Sequence, residues 1–328
     1  TFTGNVTLSA GTLRATNASA LGAGALTLSG GTLQLANDSA VDFGRNTTVT
    51  LASTIESDRL TSGAGVTQTL GTLSIGAVAL TANAGAGVSS GTATTLFGAV
   101  TLTGSPTFTV GSNAELILGA LTDGGVARII TKNGAGTLVL NSTAASWATA
   151  NDGLTITNGT VRFGADNALG AGTNTNVIVN NTAGATTLLD LNGYSQSIGN
   201  LTLGGTGGLA GSVNNIVTGA SPGALTLGGN VTTIATGVPT NSWTLSGNVV
   251  LGSGGTGNRT FNIADSAGIT GTDAELAVTA NLSGTGNLIK STGTGLLLLS
   301  GTNTFTGNVT LSAGTLRATN ASALGAGA

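Results

Sequence analysis

Carboxylates are the side chains of this sequence best suited to acid–base or metal chemistry. The 328 residues include 12 acidic and 9 basic side chains but no histidine and no cysteine. Zinc sites of the usual kind, Ser-His-Asp and Cys-His nucleophile pairs, and disulfides each require one of the missing residue types. Any catalysis by this chain would therefore depend on carboxylates alone.

Two groups of acidic residues could form such a site, since glycan-cleaving β-helices work with acids and a nearby base or cation. Asp273 and Glu275 are two residues apart, which would place them on one face of a strand. Glu56, Asp58 and Arg59 form the densest charge group. The other acids are scattered, and no cluster adds aromatic side chains. We therefore expect solvated turns or faces here, and predict no catalytic residues and no enzyme activity.

Glycine-rich stretches are candidates for calcium or phosphate binding. Gly204 to Gly211 and Gly252 to Gly257 lack the regularly spaced aspartate that calcium-binding β-rolls need. Gly-x-Gly segments such as Gly22-Ala23-Gly24 arise by chance when 56 residues are glycine, and no Gly-Lys-Ser/Thr follows them. The sequence predicts no cofactor-binding residues, no metal ligands and no cofactor.

Three further sets of residues have both a functional and a structural interpretation. Aromatic side chains that could stack on sugars are Trp147, Tyr194 and Trp243, which are too far apart in sequence to indicate a platform and are expected to fill or cap the fold. Glycosylation acceptor motifs, expected by composition in a chain rich in Asn and Thr, include Asn5, Asn17, Asn37 and Asn158. Arginines at equivalent places in three related segments are Arg14, Arg162 and Arg317, for which a solvent-facing strand position that discourages lateral pairing is the simplest interpretation.

Charge and hydropathy exclude several partners. The net charge is −3, which gives no electrostatic footprint for nucleic acid or anionic membranes. Gly, Thr, Ser or Asn interrupts every apolar run well before the length that a membrane helix needs. We therefore expect no nucleic-acid partner and no membrane insertion by this segment. The absence of a basic, then apolar opening stretch predicts that any secretion signal lies outside it.

A long repeat organises the sequence. Residues 1–25 recur without change at residues 304–328, an offset of 303. A weaker copy aligns residues 159–172 with residues 314–327. Such recurrence predicts a tandem array of units of about 300 residues. We expect residues 1–328 to be one continuous domain, made of a full period (1–303) and the start of the next (304–328).

A finer pattern is an apolar-Thr-apolar triplet, whose members often recur at a spacing of about 18–24 residues, as the turns of a repeat architecture would. Its examples are Val6-Thr7-Leu8, Leu26-Thr27-Leu28, Val49-Thr50-Leu51, Val100-Thr101-Leu102, Leu154-Thr155-Ile156, Leu201-Thr202-Leu203, Leu225-Thr226-Leu227 and Trp243-Thr244-Leu245. The alternation predicts strands with one buried face and threonine towards water. Glycine and asparagine clusters between the triplets indicate turns.

Short alternating strands can build a sandwich, a closed barrel or a solenoid. A spacing of about 22 residues, sustained along nearly the whole chain, favours stacked turns that each contribute two or three strands. A sandwich would not explain a sequence that starts again at residue 304. The pattern predicts an all-β parallel β-helix, or β-solenoid, with roughly 20–24 residues per turn, lined by Leu, Val and Ile, and rod-shaped.

Two longer segments resemble a known family. Lys132–Leu140 and Lys290–Gly301 each lead, after a short loop, into a Gly-Thr-Leu/Val-Arg element and then Ala-Leu-Gly-Ala-Gly. This order resembles the autotransporter-associated β-strand repeat, also called the passenger-associated transport repeat, of bacterial surface proteins. Residues 189–201 resemble another element of such proteins. The resemblance covers about half of the chain and implies a right-handed parallel β-helix exported to the bacterial surface as a stalk or passenger that displays adhesive regions.

These observations lead to a functional expectation. The chain is expected to be a structural repeat of a giant secreted or surface-exposed bacterial protein, forming a rod, stalk or filament for surface extension or adhesion. Its expected partners are neighbouring repeats, through end-to-end or lateral self-association, with glycans or host surfaces as further candidates. The expected location is extracellular, held at the outer membrane through other regions. The alternative is a glycan-binding or glycan-cleaving β-helix with a carbohydrate groove.

Overall fold

The computed structural model describes residues 2–143, 147, 151–172, 175–180, 186–204, 214–217, 223–235, 243–252, 257–266, 269 and 273–327. Every regular element within these residues is a β-strand, and all the recorded strand pairs are parallel. The strands stack as a β-solenoid of about 11 turns with about 24 residues per turn. The predicted all-β parallel solenoid is confirmed. The described residues contain no helix that could cross a membrane.

The chain divides into two compact units, Thr1–Trp147 and Ala148–Ala328. The strands of the first unit are β1 (Val6–Leu8), β2 (Thr12–Ala15), β3 (Leu26–Leu28), β4 (Thr32–Ala36), β5 (Val41–Asp42), β6 (Thr47–Val49), β7 (Ser53–Asp58), β8 (Gly63–Ala64), β9 (Thr67–Thr69), β10 (Leu73–Ile75), β11 (Ala79–Ala84), β12 (Val88–Ser90), β13 (Ala93–Phe97), β14 (Val100–Leu102), β15 (Thr107–Val110), β16 (Ala114–Leu118), β17 (Leu121–Thr122), β18 (Ile129–Asn133) and β19 (Thr137–Leu140).

Three stacks of parallel strands form the sides of the first unit. Their orders are β1-β3-β6-β10-β14-β17, β2-β4-β7-β11-β15-β18 and β5-β9-β13-β16-β19. A short pair, β8 with β12, lies outside these stacks. From β3 onwards, apart from β8 and β12, successive strands of this unit fall in successive stacks, which is the winding that a solenoid requires.

The second unit is built in the same way. Its strands are β20 (Gly153–Ile156), β21 (Gly159–Phe163), β22 (Asn176–Val179), β23 (Thr187–Asp190), β24 (Gln196–Ile198), β25 (Leu201–Leu203), β26 (Asn214–Val217), β27 (Leu225–Leu227), β28 (Val231–Thr233), β29 (Trp243–Ser246), β30 (Asn248–Leu251), β31 (Asn258–Ile263), β32 (Leu276–Val278), β33 (Asn281–Ser283), β34 (Asn287–Lys290), β35 (Leu296–Leu299), β36 (Val309–Leu311) and β37 (Thr315–Ala318). They stack as β20-β22-β25-β28-β31-β34-β36, β21-β23-β26-β29-β32-β35-β37 and β24-β27-β30-β33.

Apolar side chains form columns along the inside of each unit. In the first stack, Leu8, Leu28, Val49, Ile75 and Leu102 pair in register from one turn to the next. All five are buried. Burial of such a side chain stabilises the fold by about 1.5–3 kcal/mol. The columns are the predicted interior of Leu, Val and Ile.

The length of a turn varies more than the sequence pattern predicts. The side chain of Asn5 accepts a hydrogen bond from the amide of Ala25, one turn and 20 residues later. The side chain of Asn200 accepts one from the amide of Asn230, which is 30 residues later. The average of about 24 residues per turn lies within the predicted range, while the longest turns exceed it. The register is kept across this long turn, since Leu201 pairs with Val231, Thr202 with Thr232 and Leu203 with Thr233.

Close approach between successive turns explains why some positions are occupied by glycine. Gly31 has φ +71, and a Cβ added there would lie 2.6 Å from the carbonyl oxygen of Gly11 in the preceding turn. A larger residue would meet both a strained backbone and a steric clash.

The two identical segments adopt the same local structure. Residues 6–8 and 12–15 form β1 and β2, and the equivalent residues 309–311 and 315–318 form β36 and β37. The amide of Ala23 donates to the carbonyl of Phe2 at 3.0 Å, and that of Ala326 donates to the carbonyl of Phe305 at 2.8 Å. The repeat is therefore structural as well as sequential.

Candidate functional site

The densest charge group lies in the first unit and joins side chains from three successive turns. An Arg14 Nη2 atom lies 4.0 Å from Asp58 Oδ2, and Arg59 Nε lies 3.5 Å from Asp38 Oδ1. In the sequence, Asp58 and Arg59 form one charge group with Glu56. In the structure, Glu56 Oε2 instead accepts a hydrogen bond from Gln34 Nε2 at 3.0 Å. Strand alternation alone would place both carboxylates on one face. The burial of Asp58 at the end of β7, where Glu56 is half-buried, departs from this pattern.

Hydrogen bonds show that this group holds loops together. Asp58 Oδ1 accepts from the amide of Gly87 at 2.8 Å. Arg59 donates from Nε to the carbonyl of Thr61 at 3.0 Å and from Nη1 to that of Ala64 at 2.9 Å. The Asp58 carboxylate and the Arg59 guanidinium thus form hydrogen bonds with backbone groups of the loops, which strand pairing does not satisfy.

Asp38 binds the same loop. It accepts hydrogen bonds from the amide of Thr61 at 2.9 Å, the hydroxyl of Thr61 at 2.8 Å and the amide of Leu60 at 3.0 Å. Hydrogen bonds from Thr61 lower the pKa of the Asp38 carboxyl, and Leu60 and Arg59 act in the same direction. The carboxylate is ionised at neutral pH and serves as a loop clamp.

The second pair of acidic candidates does not share a strand face. The strand that would align Asp273 and Glu275 begins at Leu276. Asp273 is exposed whereas Glu275 is buried. Glu275 Oε2 accepts a hydrogen bond from the amide of Leu296, one turn later, at 2.6 Å. Glu275 therefore joins two turns.

Both lysines of the sequence lie inside the solenoid, a position that their charge did not predict. Lys132 and Lys290 are fully buried. Lys132 pairs in register with Phe108, and Lys290 pairs with Phe261. Each lysine thus takes an inward position after a phenylalanine in an apolar column. Strand alternation could have predicted the burial of Lys132, because this residue is two positions after the buried Ile130 and so lies on the same face of the strand.

The amines of these lysines bind carbonyl oxygens of the residues that follow them in the chain. Lys132 Nζ donates to the carbonyls of Asn133 at 2.9 Å and Gly134 at 2.6 Å. Lys290 Nζ donates to those of Thr292 at 3.2 Å, Gly293 at 2.8 Å and Ala313 at 3.2 Å. The last of these joins the lysine to the following turn.

Burial changes the acidity of both lysines. Desolvation lowers the pKa of Lys132 from 10.5 to about 7. Desolvation also lowers the pKa of Lys290, while the nearby Glu275 carboxylate opposes that change. The recorded hydrogen-bond acceptors of the two amines are backbone carbonyls, so the arrangement supports the turns.

A pocket of about 240 Å³ lies on the second unit. Its lining consists of Thr232, Thr233, Asn262, Ala264, Thr292 and Gly293. These side chains supply hydroxyl and amide groups without a carboxylate or an aromatic ring. In the part of the chain that the structure describes, no three acidic residues converge as metal ligands would.

The aromatic candidates are not assembled into a platform. Trp147 and Trp243 are buried, and Tyr194 is half-buried. Most of the two glycine-rich stretches considered for calcium, residues 205–211 and 253–256, lies outside the described residues.

The three equivalent arginines have different partners. Arg14 approaches Asp58, as described above, and Arg162 Nε lies 2.9 Å from Asp190 Oδ2. Arg317 Nε is buried and makes no hydrogen bond with the residues that the structure describes. Arg317 therefore has an unsatisfied donor where Arg14 and Arg162 each have a carboxylate partner.

The acceptor motifs take part in the backbone network. Asn5 Oδ1 accepts from Ala25, as given above, and Asn17 Oδ1 accepts from the amide of Ser19 at 3.0 Å. Asn37 Nδ2 donates to the carbonyl of Thr16 at 2.9 Å. A glycan on Asn37 would be attached to this same Nδ2 atom.

The identical segments differ in what covers them, and this difference defines the candidate interaction surface. Leu8 and Leu21 are 7% and 2% exposed, whereas the equivalent Leu311 and Leu324 are 52% and 46% exposed. The order of the stacks places β36 and β37 at a free edge. We call the surface formed by residues 304–327 on this side the terminal face.

The opposite difference is seen on the other side of the segment. Phe2 is 50% exposed, and the equivalent Phe305 is fully buried. In the second unit, Asn303 fixes the segment to the preceding turn, since its Nδ2 donates to the carbonyl of Ala323 at 2.6 Å and its Oδ1 accepts from the amide of Leu282 at 2.8 Å. Each copy is thus covered on the side where the other is open.

Comparisons of the chain with protein-family models, with curated proteins and with solved structures found no match.

Proposed function

We propose that this chain is a structural repeat of an elongated bacterial surface protein and that its role is mechanical: it extends or spaces whatever the protein displays. The observation that carries the proposal is the pair of identical 25-residue segments, which fold alike and are covered on opposite sides. A sequence that returns to its starting structure after 303 residues can be repeated without a new fold.

The energetics of the solenoid support this role. Each turn pairs its strands with the turns before and after it, and its inward side chains continue the apolar columns. Added turns therefore satisfy backbone hydrogen bonds and bury apolar surface by the same contacts as existing turns. Length can increase without loss of stability per turn.

The arrangement of polar groups supports a role without catalysis. Asp58, Arg59 and Asp38 bind loop backbone, and Glu275 and Lys290 bind the turn that follows each of them. The resemblance of the segments at Lys132 and Lys290 to autotransporter-associated repeats supports a location on the bacterial surface. Neighbouring repeats of the same chain are the proposed partners, and self-association end to end or side by side is a secondary proposal.

Antibody labelling of intact cells tests the surface location. Antibodies raised against the chain should bind unpermeabilised cells of the source bacterium, and brief treatment of those cells with a protease should remove the signal. A cytoplasmic protein serves as the control for cell integrity. Labelling that requires permeabilisation would contradict the proposed location.

A further inference from the structure

The terminal face matches a surface that is already covered elsewhere in the same chain. Residues 1–25 and 304–328 have the same sequence and the same strands. In the first copy, the turn that begins at residue 26 covers this surface through β3 and β4. The structure therefore shows which sequence the surface accepts.

We infer that the terminal face is a docking surface for a segment with the sequence of residues 26–59, supplied by the next copy of the repeat in the same chain. This inference deepens the proposed function and relies on it for the source of that copy. The register follows from the first copy. There, Val6, Thr7 and Leu8 pair with Leu26, Thr27 and Leu28, and Thr12 to Ala15 pair with Thr32 to Leu35.

Transfer of this register gives specific contacts at the junction. Leu311 pairs with the incoming Leu28, and Leu316 pairs with the incoming Leu33. Both incoming leucines are fully buried against the first copy. Val309 and Ala318 take the positions of Val6 and Ala15, so β36 and β37 each gain a parallel partner at their free edges.

The charged group supplies a second, independent indication. Arg14 Nη2 donates to the carbonyl of Arg59 at 3.3 Å and lies 4.0 Å from Asp58. The equivalent Arg317 has a buried Nε without a hydrogen bond among the described residues. A docked copy brings its own Asp58 and Arg59 to Arg317. In the first copy these contacts are made by Nη2, so the junction should supply the same acceptors to Nη2 of Arg317.

The weaker copy of the segment agrees with this assignment. Leu169 occupies the place of Leu21 and Leu324 in the 159–172 segment. Leu169 is fully buried and Leu21 is 2% exposed, whereas Leu324 is 46% exposed. This position is therefore covered in both copies that are followed by another turn.

Cysteine labelling tests the docking. The sequence contains no cysteine, so Leu324→Cys and Leu21→Cys each introduce a single thiol. The two variants are compared in the 328-residue chain and in a two-period chain, made by placing residues 26–328 directly after Ala328. Each variant of the two-period chain also carries a single thiol. Leu21→Cys is made at residue 21 of the first period, and Leu324→Cys is made at residue 324, just before the junction.

In the single chain, Leu324→Cys should react with a maleimide more than about tenfold faster than Leu21→Cys, because a covered thiol reacts only through local opening. In the two-period chain, the two rates should be nearly equal. The inference is overturned if Leu324→Cys in the two-period chain reacts as fast as in the single chain while Leu21→Cys stays slow. The slow Leu21→Cys rate shows in each case that the first turns are folded.

Two controls identify the covering segment. A Gly/Ser extension of the same length as residues 26–59, placed after Ala328, should leave Leu324→Cys fast, and protection by this extension would overturn the inference. Protection that increases with the concentration of the single chain would show that an intact second copy is the occupant, and would also overturn it. If Leu324→Cys is protected in the two-period chain but antibodies do not label intact cells, the docking stands and the proposed surface role fails. If antibodies label intact cells but Leu324→Cys stays reactive, the surface role stands and the docking fails.

Discussion

Lys132 pairs in register with Phe108, so that a lysine occupies an inward position of an apolar column in the first unit. Its amine donates to the carbonyls of Asn133 and Gly134. Lys290 repeats this arrangement after Phe261 in the second unit. A buried lysine is costly in its charged form unless its hydrogen bonds are satisfied. The same solution at two distant places indicates that carbonyl groups of these turns need an internal donor.

The buried lysines predict a rise of stability with pH. The pKa of Lys132 is about 7 in the folded chain, against 10.5 as its ordinary value. The unfolded chain therefore binds more protons between these values, and the free energy of unfolding should increase with pH by up to about 1.4 kcal/mol per pH unit for this residue. Below the folded pKa the contribution becomes constant.

Urea unfolding between about pH 7 and about pH 10 measures this effect. Lys132→Met should reduce the slope, and the double variant Lys132→Met, Lys290→Met should reduce it further, because burial lowers the pKa of both lysines. Identical slopes for the natural chain and Lys132→Met would show that the Lys132 amine keeps an ordinary pKa.

The alternation of β25 predicts opposite outcomes for neighbouring substitutions. Leu201 is buried in the column between Val177 and Val231, while Thr202 lies on the outward face. Leu201→Ala should lower the free energy of unfolding by about 2–5 kcal/mol, because it leaves a cavity. Thr202→Ala should change it by no more than about 0.5 kcal/mol. Equal effects, measured by urea unfolding, would contradict the assigned faces.

Close packing between turns makes Gly31 intolerant of substitution. Gly31→Ala introduces a Cβ at 2.6 Å from the carbonyl oxygen of Gly11 and strains a backbone with φ +71. We expect a loss of at least about 1–2 kcal/mol in the free energy of unfolding. Gly4→Ala is the matched control, since a Cβ at Gly4 meets nothing within 4 Å. Thermal melting compares the two variants, and a Gly31→Ala chain as stable as Gly4→Ala would be the contrary result.

Asp38 predicts a local effect of acid. Its pKa is lowered in the folded chain by hydrogen bonds from Thr61 and Leu60. Its stabilising contribution is therefore complete above its ordinary pKa of 3.8 and is lost as pH falls through the lower folded value. Hydrogen exchange followed by NMR should show falling protection of the Leu60 and Thr61 amides in that range. In Asp38→Asn the pH dependence should be absent, and its persistence there would assign the effect to another group.

The sequence predicted the strands well because their signal is local. Leu201-Thr202-Leu203 is buried, half-buried and buried, as a two-residue period requires. The identical segments predicted a structural repeat, and the structure contains it. Turn lengths were less predictable, because the residues that separate Asn200 from Asn230 include loop positions that no periodicity constrains.

The polar interior was the part that sequence reasoning missed. Alternation from Ile130 indicates that Lys132 points inward, but a charged residue type argues for the surface. Only the positions of Asn133 and Gly134 carbonyls show why burial is tolerated. Glu275 and Asp58 were similarly placed in solvated positions, because their partners, the amides of Leu296 and Gly87, belong to other turns.

The most direct test of the proposed role is the length of chains that contain one, two and three periods, measured by electron microscopy of single molecules. Stacked turns lie about 4.8 Å apart, so each added period of 303 residues should increase the length by the same amount without a change in width. Particles that become thicker or more globular with each period, with no constant increment in length, would contradict the proposal that this chain is an extending repeat.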